Sequence, residues 1–287
     1  MRYQTIADHQ GQAPARWLCS ALQVSARGYY AWRRRPESAR RRRDRQLLVA
    51  IRASYERSRR VYGSPRVLLD LQDSGEACSR KRIARIMQGN GLVAVQHRRF
   101  KMTTMSGHDF PVQANLLARN FTAAAPNQVW LGDITYITTE EGWLYLAALL
   151  DLHSRKIVGW STADRIDRTL TLTALETALR VRQPSPGLIH HTDRGSQYAA
   201  YEYQKRLEQA QVRSSMSRRG DCYDNAPMES FFSTLKRERV HRRRYWTRDE
   251  ATSDLGDNID GFYNLTRRHS ELGGVSPVQY ETMAKLT

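Results

Sequence analysis

Residues 128–137 read QVWLGDITYI, and this stretch decides the fold of the second half of the chain. Its apolar and β-branched residues are typical of a buried strand, and similar runs follow at 143–152 and 156–162. Further along, strand-like runs alternate with segments of helical spacing. The pattern predicts a mixed α/β domain. Its later segments are strands at 187–193 and 212–217, and helices at 169–181, 200–210 and 225–239.

The net positive charge of the chain is concentrated in residues 1–110. The 287 residues include 46 Lys and Arg against 29 Asp and Glu, and residues 1–110 hold 23 of the basic residues but only 8 of the acidic ones. Such asymmetry favours a polyanionic partner, above all nucleic acid, over a merely solvated surface. A membrane partner is not expected, because no run reaches the ~18 apolar residues of a spanning helix and no signal peptide is visible. Three widely spaced cysteines argue against a disulfide framework or a zinc ribbon and fit a reducing cytoplasm.

The basic region has the pattern of two helix-turn-helix units. In residues 15–34, Ser25 is placed to cap the second of two short helices, and Pro36 ends it. A run rich in Arg follows before a helix predicted over 46–58. In the second unit, Ser79 is placed to cap a basic helix, which favours DNA contact over a small helical bundle with a solvated face. The candidate DNA contacts are Arg40, Arg41, Arg42, Arg43, Lys81, Arg82 and Arg85.

Three carboxylates of the α/β region stand at unusual positions. Asp133 interrupts a buried strand, Asp193 ends another, and Glu229 lies in the first turn of a helix. Singly, each has an ordinary explanation: a buried ion pair, a turn cap, or a favourable place at the helix dipole. Together they could meet at one sheet edge, where a divalent cation would offset their repulsion. Oxygen ligands favour Mg²⁺ or Mn²⁺.

Other polar residues nearby receive simpler interpretations. Lys236 lies two helical turns after Glu229 and is a candidate phosphate contact, as is its neighbour Arg237. The remaining residues are interpreted structurally: packed histidines at His190 and His191, a strand turn at Asp151, solvated or capping carboxylates at Asp221 and Asp224, and a helix cap at Asn225.

The motifs around the three acids resemble a known family. The segments WLGDITYI, HTDRGSQY and DNAPMESFFSTLKRE are similar to the three catalytic segments of the DDE transposases of the insertion-sequence-three family, second-frame (orfB) product. The 35 residues between Asp193 and Glu229 match the spacing of the family, and Lys236 matches its basic position. GYYAWRRR and FYNLTRRHSELGGVSPVQY extend the likeness over almost the whole chain.

The resemblance implies a bacterial transposase that cleaves and joins DNA. It implies a ribonuclease-H-like core, with a mixed five-stranded sheet flanked by helices, preceded by an all-α helix-turn-helix region. It also implies that Asp133, Asp193 and Glu229 are catalytic and bind two Mg²⁺ (or Mn²⁺) ions. The expected organisation is a basic helical DNA-binding region (1–100), a linker (101–124), the catalytic core (125–245) and a helical C-terminal extension (246–287).

The resemblance also defines the expected partners. These are double-stranded DNA at the element ends and at the target, further copies of the chain on that DNA, and an orfA product or a frameshift fusion with it, since no leucine-zipper heptads precede the basic region. The location would be the bacterial cytoplasm, at the nucleoid. Two alternatives remain open: a ribonuclease-H-like nuclease that only hydrolyses, and a non-catalytic DNA-binding regulator.

Overall fold

The first three helices form a small unit of their own. A computed structural model of the chain describes residues 2–95, 113–218 and 222–284. Helices α1 (Arg2–Asp8), α2 (Ala15–Ala21) and α3 (Ala26–Arg34) pack around the buried side chains of Ile6, Cys19 and Tyr29. The predicted cap of α3 is confirmed, because the Ser25 hydroxyl accepts a hydrogen bond from the Gly28 amide at 3.3 Å.

Three further helices form the second helix-turn-helix unit. They are α4 (Ala39–Arg57), α5 (Ser64–Asp73) and α6 (Arg80–Gly89), and Ser79 caps α6 as predicted. The sequence pattern placed the start of α4 at residue 46, which is wrong, because Ser38 caps the helix and residues 40–43 are already helical. Arginine is a good helix former, so the charged run extends the helix instead of preceding it.

A mixed five-stranded sheet organises the second half of the chain, as expected for a ribonuclease-H-like core. The strands lie in the order β3-β2-β1-β4-β5; β1, β2 and β3 are antiparallel neighbours, and β4 and β5 run parallel to β1. Parallel β4 pairs only with the first residues of β1, so the rest of that edge of β1 lies beyond the end of β4. The strand bounds are β1 (Val129–Thr139), β2 (Gly142–Asp151), β3 (Ile157–Ala163), β4 (Ile189–Thr192) and β5 (Arg213–Met216).

Helices cover both faces of the sheet, because successive strand residues alternate between two apolar cores. One face packs against α7 (Arg168–Arg182) and α9 (Tyr201–Gln209), with the short α8 (Ser196–Ala199) between strand β4 and α9. The opposite face packs against α10 (Ala226–Glu238) and α11 (Arg248–Gly256). The expected sheet flanked by helices, preceded by an all-helical region, is thus confirmed.

The end of the chain joins the two halves. After α11 come a π-helical turn (Asp257–Tyr263) and α12 (Pro277–Ala284). Phe262 of that turn packs into the apolar core of α4–α6. Arg268 forms an ion pair with Asp70 of α5 at 2.6 Å. The C-terminal segment therefore completes the core of the second helix-turn-helix unit, and a fragment that ended near residue 110 would expose that core to water.

A buried network of ion pairs lies at the end of the sheet where β1 begins and β2 ends. Arg182, at the end of α7, forms ion pairs with the fully buried Asp151 at 3.2 Å and with Glu281 of α12 at 2.8 Å. Asp151 also accepts the amide hydrogens of Asn127 and His153, so its predicted place at a strand turn is confirmed. Burial raises the pKa of Asp151, and the Arg182 guanidinium opposes that effect.

The length and polarity of the described helices decide whether any of them could cross a bilayer. Within residues 2–95, 113–218 and 222–284, none is long and apolar enough to cross a bilayer. Most of the expected linker, residues 101–112, lies outside the described residues, and the domain boundaries at 100, 124 and 245 stay predictions.

Candidate active site

The three carboxylates singled out from the sequence lie on three different elements. Asp133 is in the middle of β1, opposite Ala148 of β2, and its side chain is half-buried. Asp193 follows the last residue of β4, whose pairing with β1 stops just before Asp133. Glu229 stands in the first turn of α10, which packs on the same face of the sheet as Asp133.

The charges of the three acids act on one another. The pKa of Asp133 is raised well above its ordinary value, first by burial and then by the negative charges of Asp193 and Glu229. Burial also raises the pKa of Glu229. Asp133 is therefore held where its ionised form is unfavourable, which is the environment that a cation would correct. Side chains whose pKa values are shifted in this way concentrate at functional sites.

Backbone hydrogen bonds orient two of these carboxylates. Asp133 Oδ1 accepts the amide hydrogen of Ile134 at 2.8 Å, and Asp193 Oδ1 accepts that of Gly195 at 2.9 Å. In the part of the chain that the structure describes, no group of three His, Cys, Asp or Glu side chains is arranged to hold a metal ion. The donor chemistry nevertheless suits Mg²⁺ or Mn²⁺, since all three side chains offer carboxylate oxygens and their mutual repulsion favours a divalent counter-ion.

Asn225 connects the helix that carries Glu229 to the strand that carries Asp133. It stands at the N-terminus of α10 as the sequence predicted, but its side chain makes no capping hydrogen bond. Instead its Nδ2 donates to the backbone oxygen of Gly132 at 3.1 Å. Gly132 must be glycine for the strand to pack here, because a β-carbon would lie 2.7 Å from the buried ring of His190. The hydrogen bond between Asn225 and Gly132 thus ties the start of the helix that carries Glu229 to the strand that carries Asp133.

Asp224 is a buried carboxylate with two arginine partners, which the sequence interpretation did not identify. It was expected to be solvated or to cap a turn, which is wrong: its side chain is only 1 % exposed. It forms ion pairs with Arg119 at 3.0 Å and Arg218 at 2.9 Å, and Asn115 donates to it at 3.0 Å. The hydrogen bonds from Arg218 chiefly lower the pKa of Asp224, so it is ionised. Asp221, given the same interpretation, lies outside the described residues.

Two buried histidines and Tyr198 lie in the core next to the strands that carry Asp133 and Asp193. His190 Nε2 lies 2.7 Å from the Tyr203 hydroxyl, and His191 bonds Ser215 and Ser217, so both are packed as predicted. Burial lowers the pKa of His190 to about 3 and that of His191 to about 4, which keeps both neutral. The sequence interpretation overlooked Tyr198, whose pKa is raised by burial, by Tyr203, and by Asp133 and Asp193. Its place in the HTDRGSQY motif, five residues after Asp193, was the available signal.

Lys236 lies beside the acids, as its position on the helix suggested. Its side chain is half-buried, with Nζ 4.3 Å from the centre of the Tyr136 ring. Burial lowers the pKa of Lys236, and the nearby charge of Asp133 opposes that effect. Arg237 is half-buried on the same helix, and its charge helps to lower the pKa of the buried Glu238. Lys236 is therefore close to the site, while the charge of Arg237 acts on the buried Glu238.

The candidate DNA contacts of the N-terminal region fall into two groups. Arg40, Arg41, Arg42 and Lys81 are exposed. Arg82 and Arg85 both pair with Asp44 at 2.7 Å, and Arg43 pairs with Glu76. Arg40, Arg43, Lys81, Arg82 and Arg85 nevertheless line one groove between α4 and α6. The two helices thus present a single basic surface, part of whose charge is already balanced within the protein.

Comparisons with known proteins agree with this architecture. Models of an integrase core domain match residues 123–222 and 229–284, and a model of an HTH-like domain matches residues 41–100. The chain is 45% identical to a 31 kDa protein of insertion element IS600 from Shigella sonnei, over 92% of this chain and 97% of that protein. It is 40% identical to the transposase InsF of insertion sequence IS3A from Escherichia coli strain K12, over 98% of both chains.

Solved viral integrase structures are also similar, at low sequence identity. The catalytic core domain of HTLV-2 integrase, in complex with magnesium, is 17% identical and has a TM-score of 0.44, over 55% of this chain and 98% of that one. A simian T-cell lymphotropic virus intasome in complex with a PP2A regulatory subunit is 14% identical and has a TM-score of 0.47, over 77% and 70%.

The sheet order and the helical region before it define an integrase-type polynucleotidyl transferase core joined to a helix-turn-helix region. With relatives at 40% identity along nearly the full length of both chains, the chain belongs to the IS3 family of transposases.

Proposed function

We propose that this transposase cuts DNA at the ends of its insertion sequence and joins the freed 3′ ends to target DNA, with Asp133, Asp193 and Glu229 as the catalytic acids. One observation carries the assignment: two carboxylates from separate elements, Asp193 and Glu229, both act on the charge of Asp133 in the middle of a buried strand. A raised pKa means that the ionised carboxylate destabilises the folded state. Acids placed at this cost to stability are therefore better explained by a function than by a structural role.

We propose that the three carboxylates hold divalent cations, Mg²⁺ or Mn²⁺, two of them as the family resemblance implies. When bound, such ions supply Lewis-acid stabilisation of the oxygens that attack and leave the phosphorus. The role of the protein is to keep the acids in place: Gly195 fixes Asp193, and Asn225 ties the start of α10 to β1. A hydrolytic cut and a strand transfer differ only in whether water or a 3′-hydroxyl attacks, so one set of acids serves both.

We infer the remaining partners from the family and from the charge distribution. The proposed domains divide the work: residues 1–100 bind DNA, 101–124 link, 125–245 carry the acids, and 246–287 support both. Joining two ends requires more than one site, so the chain would act as a homo-oligomer on double-stranded DNA in the bacterial cytoplasm, at the nucleoid. An orfA product, or a frameshift fusion with it, would be a further partner.

A direct test mixes the full chain, Mg²⁺, linear DNA carrying one end of its own element, and a supercoiled target. A transposase yields a nick at the element end and a joined product. Nicks without any joined product would indicate a nuclease. A shifted complex with neither product would indicate a DNA-binding regulator.

Neutralising exposed arginines of α4 tests the DNA-binding region. Arg41→Gln with Arg42→Gln removes two exposed charges without touching the packed face of the helix. If both contact phosphates, affinity falls at every salt concentration and the slope of log K against log[salt] becomes shallower by ~1.8, since each contact contributes about 0.9. The measurement is a filter-binding series between low and physiological salt, without metal.

The matched control is Arg165→Gln with Arg180→Gln, two exposed arginines of the catalytic region. It should leave the slope almost unchanged. An equal change of slope in both double variants would contradict the division of labour, because affinity would then depend on overall charge and not on α4.

Lys236 is proposed to contact a phosphate next to the scissile bond. Lys236→Ala removes this charge and leaves the three carboxylates in place, so end cleavage should fall by one to two orders of magnitude, the loss of one charge-assisted hydrogen bond of ~1.5–3 kcal/mol. Lys236→Arg should recover part of the rate. The measurement is the cleavage rate as a function of Mn²⁺ concentration. Full rescue of Lys236→Ala by added Mn²⁺ would show that the lysine supports the cation site and not the phosphate.

A further inference from the structure

Two large aromatic side chains lie exposed on the β1–β2 hairpin, across strand β1 from Asp133. Tyr136 of β1 is 55 % exposed and Trp143 of β2 is 48 % exposed. Their rings meet edge to face, with centroids 4.9 Å apart and an interplanar angle of 81°. We call these two residues the aromatic pair. Exposed neighbouring aromatics leave apolar ring surface in water, and such a surface commonly marks a binding site.

Lys236 connects the aromatic pair to the catalytic acids. Its ammonium stacks on Tyr136, and its charge interacts with that of Asp133. Tyr136 is three residues beyond Asp133 on the same strand, roughly 10 Å along the backbone. Because successive side chains alternate between the two faces, Tyr136 projects from the face of β1 opposite to that of Asp133. Lys236 interacts with both, so the aromatic pair lies across β1 from the proposed catalytic acids, beside the edge of β1 that β4 leaves unpaired.

The turn that carries Trp143 is held in place from α11. The Arg248 side chain donates to the backbone oxygens of Trp143 at 3.0 Å and of Glu141 at 2.7 Å. The Glu140 amide donates to the Tyr245 oxygen at 3.0 Å, which fixes the other side of the turn. A surface already ordered before binding loses little conformational entropy when a ligand stacks on it.

The charges around the hairpin turn are compatible with a nucleic acid. The carboxylate of Glu140 pairs with Arg244 at 2.7 Å, and that of Glu141 accepts the Arg248 amide hydrogen at 2.8 Å. The Arg244 guanidinium also stacks on Trp246, 4.7 Å from its ring centre, and Trp246 is 62 % exposed. The acids of the turn are thus held by arginines, so what the turn offers a single strand of DNA is chiefly its exposed rings, on which bases can stack.

We propose that the aromatic pair binds an unpaired DNA base beside the scissile phosphate. The base would stack on the exposed ring surface of Trp143 and Tyr136, and Lys236 would contact the phosphate that follows it. In a duplex the faces of the bases are covered by their neighbours, so the occupant is a strand locally opened at the element end. The inference rests on the proposed catalytic role of the acids, because that role places DNA here.

The test compares binding of two DNA probes in metal-free buffer, where no cleavage occurs. One probe is a duplex that ends in a three-nucleotide unpaired flank, and the other has the same sequence fully paired. Wild type should prefer the flanked probe. Trp143→Ala should reduce that preference roughly tenfold, within the range of one base–aromatic stack of ~1–3 kcal/mol. Trp143→Phe should keep most of the preference, because it retains a ring.

The matched control is Tyr201→Ala, which removes a 72 % exposed ring on α9 that also carries a stacked lysine, Lys205, at 5.7 Å. It should leave the preference unchanged. Equal losses for Tyr201→Ala and Trp143→Ala would overturn the proposal, as would loss of binding to both probes alike in Trp143→Ala while Trp143→Phe binds normally. A change in the oligomeric state of Trp143→Ala without any change in preference would overturn it too, because the rings would then serve contacts between protein copies.

Failure of this proposal can be distinguished from failure of the catalytic assignment. An Asp133→Asn chain should keep the preference for the flanked probe, since it retains the aromatic pair. If the acids were wrongly assigned, cleavage would survive that substitution whatever the binding result.

Discussion

Asp133→Asn, Asp193→Asn and Glu229→Gln should each lower end cleavage and strand transfer by at least about 10³-fold, while DNA affinity stays within about twofold of wild type. Residues that act as one unit lose almost everything when any member is removed, so a double variant should be little worse than a single one. The DNA affinity is expected to survive because we propose that it comes from the basic N-terminal region, which these substitutions do not touch.

Folding stability separates loss of chemistry from loss of structure in these variants. The raised pKa of Asp133 shows that its ionised form is less favourable in the folded chain than in the unfolded one. Replacing it by the isosteric amide should therefore leave the unfolding midpoint equal to that of wild type or higher. The matched control is Glu176→Gln, an exposed carboxylate of the same domain, which should keep full activity. Near-normal strand transfer in any of the three variants would remove that residue from the catalytic set.

Arg182→Met should destabilise the fold by ~3–5 kcal/mol at neutral pH, because it leaves two buried carboxylates without their cation. Asp151 is fully buried and Glu281 is 7 % exposed, and Arg182 donates to both. Its Nε also donates to Asn127 at 2.8 Å, so the loop before β1 loses a contact as well. Urea unfolding followed by circular dichroism measures the loss.

Arg206→Met is the control for the buried network. Arg206 pairs with Glu176, which is 52 % exposed, so removal of this cation leaves a hydrated carboxylate and should cost no more than ~1 kcal/mol. If Arg182→Met and Arg206→Met lowered the free energy of unfolding by equally small amounts, the account would be contradicted. Asp151 and Glu281 would then not need Arg182 as a counter-charge, and water would reach this end of the sheet.

Two of the three proposed catalytic acids could be singled out from local sequence, whereas Glu229 occupies a helix position that favours a carboxylate and stands out only together with them. A carboxylate inside an apolar strand, as at Asp133, or at the end of one, as at Asp193, is conspicuous without any knowledge of its neighbours. The strands and helices around them were predictable for the same reason, since their periodicity is local. The roles of the three acids, of Lys236 and of the basic helices stay predictions until the variants are measured.

Long-range partners could not be predicted in the same way. Asp224 was misjudged because Arg119, one of its two arginines, lies 105 residues earlier in the chain. Arg182, Asp151 and Glu281 come from three distant segments, and nothing in any of those segments marks them as partners. Asn225 was placed correctly at a helix start, but the acceptor of its side-chain amide lies 93 residues away on β1. The pattern identifies a residue type at a position, and only the fold identifies what it contacts.

Anomalous X-ray diffraction from crystals grown with Mn²⁺ tests the central claim most directly, because it locates the cation without relying on activity. The account predicts manganese peaks bonded to the carboxylates of Asp133 and Asp193, with Glu229 completing the site, and their loss in Asp193→Asn crystals. Manganese bound only at other carboxylates of the chain, or unchanged peaks in the Asp193→Asn crystals, would contradict it.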